Sequence, residues 1–199
     1  YAVTTPDVAL VVILMGTIGM FGYNFTVLLP LVAEYVLGAD AVGFGALTSA
    51  MALGSVAASL VLAGSKQPTR RRLLIGAACF SGLLFSLSLA TSWTAALLLL
   101  VLIGGFGIVF TSTANVWLQT TTPPALRGRV MSIYTLLFLG TSPIGSLVVG
   151  ALAEYAGVRV TVATMGILCC LGVAAALAYG YRTAHRAAPT ALETPNVEV

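Results

Sequence analysis

Apolar residues in this chain come in six long runs, and each run is long enough to cross a lipid bilayer as a helix. A transmembrane helix needs about 20 predominantly apolar residues, because the hydrocarbon core of a bilayer is about 30 Å thick. Residues 1–181 are therefore expected to form one all-α transmembrane domain. The predicted helices span about 8–33, 42–64, 73–91, 93–118, 130–153 and 158–180.

The least distinct boundary lies at Thr91 and Ser92, where the third and fourth apolar runs almost meet. An uninterrupted run of this length would be about twice as long as one crossing requires. Two helices joined by a tight turn are therefore predicted here. After the sixth run, residues 182–199 are rich in Ala, Thr, Pro and polar side chains, which predicts a disordered cytoplasmic tail.

Basic residues are segregated to one side when the six predicted helices are traced across the membrane. The side that holds both ends of the segment carries Lys66, Arg70, Arg71, Arg72, Arg127, Arg129, Arg182 and Arg186. The opposite side carries Arg159 with Glu34, Asp40 and Glu154. Because basic loops stay inside, the first side is predicted to be cytoplasmic. The sequence thus predicts a multi-pass protein of the cytoplasmic membrane with both ends of this segment inside.

Composition supports a membrane location. Only 8% of the residues are charged, against about 25% in soluble domains, which must cover a water-facing surface. The outer surface is therefore expected to face membrane lipid. The chain begins at Tyr1 rather than Met, and no basic segment precedes its first apolar run, so we interpret it as a fragment of a longer protein.

Charged side chains are missing from the middle of all six predicted helices. Such residues cost about 2.5–3.5 kcal/mol to insert and usually mark ion or proton pathways. The single histidine, His185, lies in the predicted tail, where no metal site or nucleophile–base pair can be recognised. No enzyme activity, metal, cofactor or nucleic-acid partner is therefore predicted, and a phosphate-binding loop that would indicate a nucleotide-driven pump is not found.

Uncharged polar residues at membrane depth are the remaining candidates for a functional site. An amide or hydroxyl in hydrocarbon must find a hydrogen-bond partner, so each is expected to face other helices or a water-filled cavity. The sequence leaves open whether they line a cavity or form interhelical hydrogen bonds. Pro30 and Pro143 are expected to bend or break their helices nearby. The substrate-cavity candidates are Tyr23, Asn24, Thr111, Asn115, Gln119, Tyr134 and Ser142.

Small residues recur at four-residue spacing in the second predicted helix, where Ala46, Ala50, Gly54 and Ala58 form one stripe. Stripes of this kind let helix backbones approach closely. Close packing of this helix against a neighbour is therefore predicted. The Gly-rich piece at 104–107 superficially resembles a dinucleotide fingerprint, but it lies inside a predicted membrane helix without a preceding strand, so nucleotide binding is not predicted from it.

Residues 115–132 follow a distinctive order: a helix end containing Gln119, a Pro-x-x-x-Arg-Gly-Arg core, and a small residue soon after. The core is formed by Pro123, Arg127, Gly128 and Arg129. This segment resembles the loop between the tenth and eleventh helices of major facilitator superfamily exporters. The closest branch contains enterobactin-type siderophore exporters and macrolide-efflux-like proteins. The resemblance covers about residues 8–181 and is weaker at Pro68 and Thr69, where the superfamily has an Asp-Arg pair.

The resemblance implies that the chain is the C-terminal half of a 12-helix secondary transporter, built as a 3+3 repeat of helices. Such a protein would export a small amphiphilic molecule, such as a siderophore or a drug, by alternating access coupled to proton influx. The missing N-terminal half would supply the other cavity wall and any proton-binding carboxylate. Arg127, Gly128 and Arg129 are expected to form a cytoplasmic gate, with Gly128 giving a sharp turn between the arginines.

Two other interpretations compete with an exporter half. A self-contained six-helix protein could act as a homo-oligomeric channel or transporter, with a second copy in place of the missing half. A membrane-embedded enzyme or assembly scaffold would need a catalytic or metal-binding constellation at membrane depth, and the sequence shows none. An upstream six-helix stretch in the same gene would distinguish the first two interpretations.

Overall fold

The computed structural model of the chain describes residues 5–64 and 68–187, and all the regular structure in this part is helical. Two of the membrane spans are interrupted by short π-helical segments. In chain order the elements are α1 (Pro6–Gly22), α2 (Phe25–Leu31), the first π segment (Val32–Val36), α3 (Ala41–Ala63), α4 (Arg70–Ser88), α5 (Trp93–Thr121), α6 (Pro124–Thr135), the second π segment (Leu136–Gly140), α7 (Ser142–Ala156) and α8 (Val158–Ala187).

Six helical spans in the described residues are long and apolar enough to cross a membrane, which confirms the predicted all-α class and the six crossings. The first span combines α1, α2 and the first π segment, and the fifth combines α6, the second π segment and α7. The helix α8 extends to Ala187, past the point where the tail was predicted to begin. Residues 188–199 and Lys66 lie outside the described residues.

Polar side chains cap the beginnings of three spans. The carboxylate of Asp40 accepts a hydrogen bond from the backbone N–H of Gly43 at 3.0 Å, which satisfies an exposed donor at the start of α3. Thr69 caps α4 and Ser92 caps α5 in the same way. The cap at Ser92 explains why the chain turns there, and the predicted division between the third and fourth spans is confirmed.

The bundle is organised around α5 and α8. The helix α5 packs against α3 and α4, while α8 packs against α4, α1 and α7. Large apolar side chains such as Phe80, Phe110 and Ile18 are fully buried between these helices. The second and fifth spans are the least buried of the six, so their outer faces are left uncovered by this chain.

The stripe of small residues in α3 meets α5, as predicted. Gly54 is buried, and a β-carbon at this position would overlap the carbonyl oxygen of Val101 in α5. In return, a β-carbon at Gly104 would overlap the carbonyl oxygen of Met51 in α3. Gly104 and Gly105 are therefore packing residues that allow the backbones of α3 and α5 to approach closely.

Arg159 stabilises the end of a neighbouring helix. Its Nη1 donates a hydrogen bond to the carbonyl oxygen of Ser88, the last residue of α4, at 3.2 Å. Carbonyl groups in the last turn of a helix lack partners within the helix, and the negative end of the helix dipole favours a cation there. This contact gives Arg159 a structural role.

Both prolines lie beside interruptions of their spans, as expected. Pro30 lies inside α2, between the break at Tyr23 and Asn24 and the first π segment, and Pro143 lies in the first turn of α7, after the second π segment. The expectation for Gly128 was wrong. Gly128 does not form a sharp turn, because it lies within α6 and does not have a positive φ. Pro124 occupies the first position of α6, where proline is favoured because no intrahelical N–H bond is lost. The helix therefore begins before the arginines and includes both of them.

Candidate functional site

The break in the first span is stabilised by the side chain of Asn24. In a continuous helix the backbone N–H of Asn24 would bond the carbonyl of Met20, four residues earlier. Here the side-chain amide takes that place, with Nδ2 donating to the Met20 oxygen at 2.6 Å. The α1 and α2 segments thus meet at a polar joint near the middle of a membrane span.

Asn24 also connects the first span to the fifth. Its Oδ1 accepts a hydrogen bond from the hydroxyl of Ser146 in α7 at 3.2 Å. The neighbouring residue, Gly145, is packed so closely that a β-carbon would overlap the Met20 carbonyl and approach the Asn24 amide. Because Asn24 is only 1% exposed, its amide is committed to contacts inside the bundle.

Tyr23 connects the same break to the fourth span. Its hydroxyl donates to the carbonyl oxygen of Gly107 at 2.8 Å, and the hydroxyl of Thr111 donates to the same oxygen at 3.0 Å. The tyrosine ring stacks on Phe80 with a centroid separation of 5.0 Å and meets the edge of Phe138 at 5.1 Å. Tyr23 therefore contacts three other spans with one side chain.

Tyr134 extends this arrangement toward the inner end of the fifth span. Its ring stacks against Phe138 with centroids 6.2 Å apart, and its hydroxyl donates to the carbonyl of Thr111 at 3.3 Å. We name the whole arrangement the central cluster. It comprises Tyr23, Asn24, Phe80, Gly107, Thr111, Tyr134, Phe138 and Ser146.

The other predicted cavity residues lie outside the central cluster. Asn115 and Gln119 follow Thr111 at four-residue spacing on α5, and the Gln119 Nε2 donates to the Asn115 Oδ1 at 2.5 Å. Gln119 is exposed and Asn115 is half-buried. Together with Thr111 they form a polar stripe from the central cluster toward the inner end of α5. Ser142 is half-buried at the first position of α7.

Sequence reasoning did not place Ser146, Phe80, Phe138 or Gly107 among the cavity candidates. Gly145 and Ser146 belong to a cluster of small residues in the fifth predicted helix, and such a cluster indicates a close helix contact rather than a cavity. The two phenylalanines gave no signal, since apolar aromatic residues are common in any membrane helix. Their role depends on the position of Tyr23, which only the fold shows.

The predicted gate residues Arg127, Gly128 and Arg129 are exposed near the N-terminal end of the fifth span. They lie in the first turns of α6, well before Tyr134 in the same helix. A β-carbon at Gly128 would meet no atom within 4 Å. The gate residues predicted from the sequence are therefore separate from the central cluster and face away from this half.

Removing the Tyr23 hydroxyl is expected to cost a modest amount of stability. Tyr23→Phe keeps the ring stacked on Phe80 but loses the bond to Gly107, and such bonds contribute about 0.6 kcal/mol on average in membrane proteins. Tyr134→Phe should cost less, because its hydrogen bond is longer. Thermal unfolding of the purified protein in detergent measures both. A larger loss for Tyr134→Phe than for Tyr23→Phe would contradict this assignment.

Two cavities show where a ligand could fit. A cavity of about 100 Å³ adjoins the central cluster and is lined in part by Tyr23, Met51 and Gly107. A groove of about 690 Å³ lies at the C-terminal ends of the first and fifth spans and the N-terminal end of the sixth, with Tyr35 and Glu154 among its lining residues. The inner cavity is too small for a drug-sized molecule, since such pockets measure about 300–1,000 Å³.

Comparison with known proteins identifies the family. The model of the transmembrane secretion effector family matches residues 1–198. No curated protein and no solved structure shows significant similarity to the chain. The family match covers almost the whole chain, and it agrees with the six apolar spans and with the major facilitator resemblance of residues 115–132. The chain therefore belongs to the transmembrane secretion effector family of the major facilitator superfamily, and this membership points to a membrane transporter.

Proposed function

We propose that the chain forms one half of an exporter in the cytoplasmic membrane that moves small amphiphilic molecules by alternating access. The observation that carries this proposal is the joint at Tyr23 and Asn24, where a membrane span is broken at a polar pair. Transporters commonly place discontinuous helices at the substrate site near the middle of the bilayer. Both ends of this segment lie in the cytoplasm in this proposal, as the distribution of basic residues indicates.

The joint can change shape at low cost because few bonds hold it. The outer part of the first span, α2, is tied to the rest of the central cluster mainly through Asn24 and Ser146, while Tyr23 ties the end of α1 to Gly107. Each such bond contributes about 0.6 kcal/mol on average. Tilting α2 relative to α1 would exchange these bonds for others while each helix stays intact.

A second six-helix half would complete the substrate cavity. The second and fifth spans expose apolar side chains that such a partner could cover. They include Leu53, Leu60, Leu139 and Leu147. The polar stripe of Thr111, Asn115 and Gln119 would then line the wall of the shared cavity. A cavity between two halves accommodates molecules that the 100 Å³ space inside this half excludes.

Proton coupling is assigned to the partner half. The three carboxylates near the span ends are exposed. Glu34 lies in the first π segment, Asp40 caps α3, and Glu154 lies in the last turn of α7. None of these positions is in the middle of a span, where a proton-binding carboxylate of a transporter is usually found. The coupling residue is therefore expected outside this chain.

An efflux assay on the full gene product tests the proposal. In cells stripped of their own efflux pumps, the protein should lower accumulation of the amphiphilic dye ethidium, and a protonophore should reverse the effect. Gln119→Leu should weaken extrusion about fivefold, because losing a hydrogen bond of about 1 kcal/mol changes affinity by that factor.

Thr164→Val is the matched control, since the Thr164 hydroxyl donates to Val160 of its own helix and lies away from the polar stripe. It should leave extrusion unchanged. Dye accumulation that rises with expression would indicate import. Full activity of this segment expressed alone, as a homo-oligomer, would replace the two-half assembly with an assembly of identical copies.

A further inference from the structure

The inner ends of α4 and α8 form a positively charged groove that the proposed transport path does not use. Three consecutive arginines, Arg70, Arg71 and Arg72, form the first turn of α4. We propose that this groove binds an anionic phospholipid of the cytoplasmic leaflet. The arginines would hold the phosphate of the headgroup, and an acyl chain would lie between α4 and α8. The leaflet assignment rests on the orientation proposed above, whereas binding itself does not depend on transport.

Arg70 is fixed at the junction of the two helices. Its guanidinium lies against Gly180 of α8 so closely that a β-carbon at position 180 would overlap it. Gly180 is buried and Arg70 is half-buried. The side chain of Arg70 thus packs against the neighbouring helix, and this contact holds its positive charge at the membrane interface between the two spans.

Arg71 lies next to this junction on the lipid-facing side. It is exposed, as is Arg182, two residues after Gly180 on α8. Each basic side chain near an anionic membrane surface attracts it by about 1 kcal/mol. The N-terminal end of α4 carries the positive end of the helix dipole. The positive charges of arginines at this end are therefore unfavourable unless an anion is bound nearby. A bound phosphate would relieve this repulsion.

The surface below the arginines suits an acyl chain. On α4 the exposed residues Ile75 and Ala78 follow Arg71 at helical spacing, and on α8 the exposed residues are Leu177 and Tyr181. The two sets lie on adjoining faces, because α4 and α8 touch both at Arg70 with Gly180 and at Phe85 with Gly166. The result is an apolar groove that ends at a cluster of positive charge.

The shape and charge of this groove favour a lipid over a soluble anion. A free phosphate would use the arginines alone and would gain nothing from Ile75, Ala78 or Leu177. A phospholipid uses both parts at once, since its headgroup and chains are joined. Basic pockets between transmembrane helices on the cytoplasmic side are a recurrent way of binding anionic headgroups.

Lipid titration of the purified full-length protein tests the proposal. Phosphatidylglycerol added to the protein in detergent should bind saturably and raise the unfolding temperature, while phosphatidylcholine and inorganic phosphate at equal concentration should not. Arg70→Gln combined with Arg71→Gln should weaken phosphatidylglycerol binding about thirtyfold, at about 1 kcal/mol for each arginine. Native mass spectrometry of the lipid-bound protein reports the stoichiometry independently.

Arg127→Gln combined with Arg129→Gln is the matched control, because it removes the same charge from the same side at another helix and should leave the affinity unchanged. Ala78→Phe fills the groove without changing charge, and it should weaken binding even if the arginine variant fails to fold. The lipid site would be overturned by any of three results: an equal loss of phosphatidylglycerol affinity in both arginine double variants, an equal rise of the unfolding temperature with inorganic phosphate, or equal binding of phosphatidylcholine.

Discussion

Gly54→Ala is expected to separate α3 from α5 and destabilise the protein by about 2–3 kcal/mol, the cost of overpacking a rigid contact. The added β-carbon would overlap the carbonyl oxygen of Val101, which is backbone and cannot rotate away. The contact between α3 and α5 is the most extensive between any two helices in the described residues. Moving one helix outward would therefore loosen many side-chain contacts at once.

Gly45→Ala is the control for this substitution within the same helix. A β-carbon at Gly45 would meet no atom within 4 Å, and alanine is favoured over glycine in helices by about 1 kcal/mol. Thermal unfolding in detergent should place Gly45→Ala at or above the parent protein and Gly54→Ala well below it. Equal stability of the two variants would show that the backbones of α3 and α5 do not touch at Gly54.

Asn24→Leu is expected to abolish transport and lower stability, although leucine keeps the branching of asparagine at Cγ. The change leaves the Met20 carbonyl without its side-chain donor and the Ser146 hydroxyl without its acceptor. Leaving a buried polar group unsatisfied costs about 1–3 kcal/mol. Because Asn24 takes over a backbone hydrogen bond at the joint, the variant should also change the angle between α1 and α2.

Ser146→Ala separates the two bonds of Asn24, since it removes only the contact to the fifth span. It should cost less stability than Asn24→Leu and should leave the bond to Met20 in place. A double-mutant cycle over both positions measures their coupling, expected to be about 0.6 kcal/mol and below about 1.7 kcal/mol. Wild-type ethidium extrusion by Asn24→Leu would refute a role of the joint in transport.

The six spans could be predicted because each is a property of a continuous stretch of sequence. The length and apolarity of each run predict that it crosses the membrane. The short connection before the fourth span is marked by Ser92, whose hydroxyl caps the helix by accepting a hydrogen bond from a backbone N–H only three residues later. The packing stripe at Gly54 was also visible, since its members recur at helical spacing. These features depend on neighbours along the chain, and no distant partner is needed to recognise them.

The break in the first span could not be predicted in the same way. Pro30 was the local signal for an interruption, and the first π segment begins two residues after it, but the chain also breaks at Tyr23 and Asn24, where no proline is present. The bonds that hold this interruption join residues 84 and 122 positions apart along the chain. Only the packing of the fourth and fifth spans against the first brings their partners into reach.

The candidate site shows the same division. Tyr23, Asn24, Thr111 and Tyr134 were selected because polar groups in hydrocarbon need partners, and the fold brings these four together. Whether they also contact a substrate stays a prediction. For Gly128 the local argument was wrong because glycine permits a turn without requiring one. The helix-starting position of Pro124 determined the local backbone instead.

The second π segment constrains the number of residues in the fifth span as well as their identity. A π-helical turn holds more residues than an α-helical turn, and Leu136–Gly140 lies between Tyr134 and Ser146, which meet different partners. Deleting one residue there would rotate all of α7 by about 100° relative to α6. Ser146 would then point away from Asn24 while Tyr134 kept its place. Insertions and deletions in this short stretch should therefore be as damaging as substitutions in the central cluster, even at its exposed residues Leu136 and Leu139.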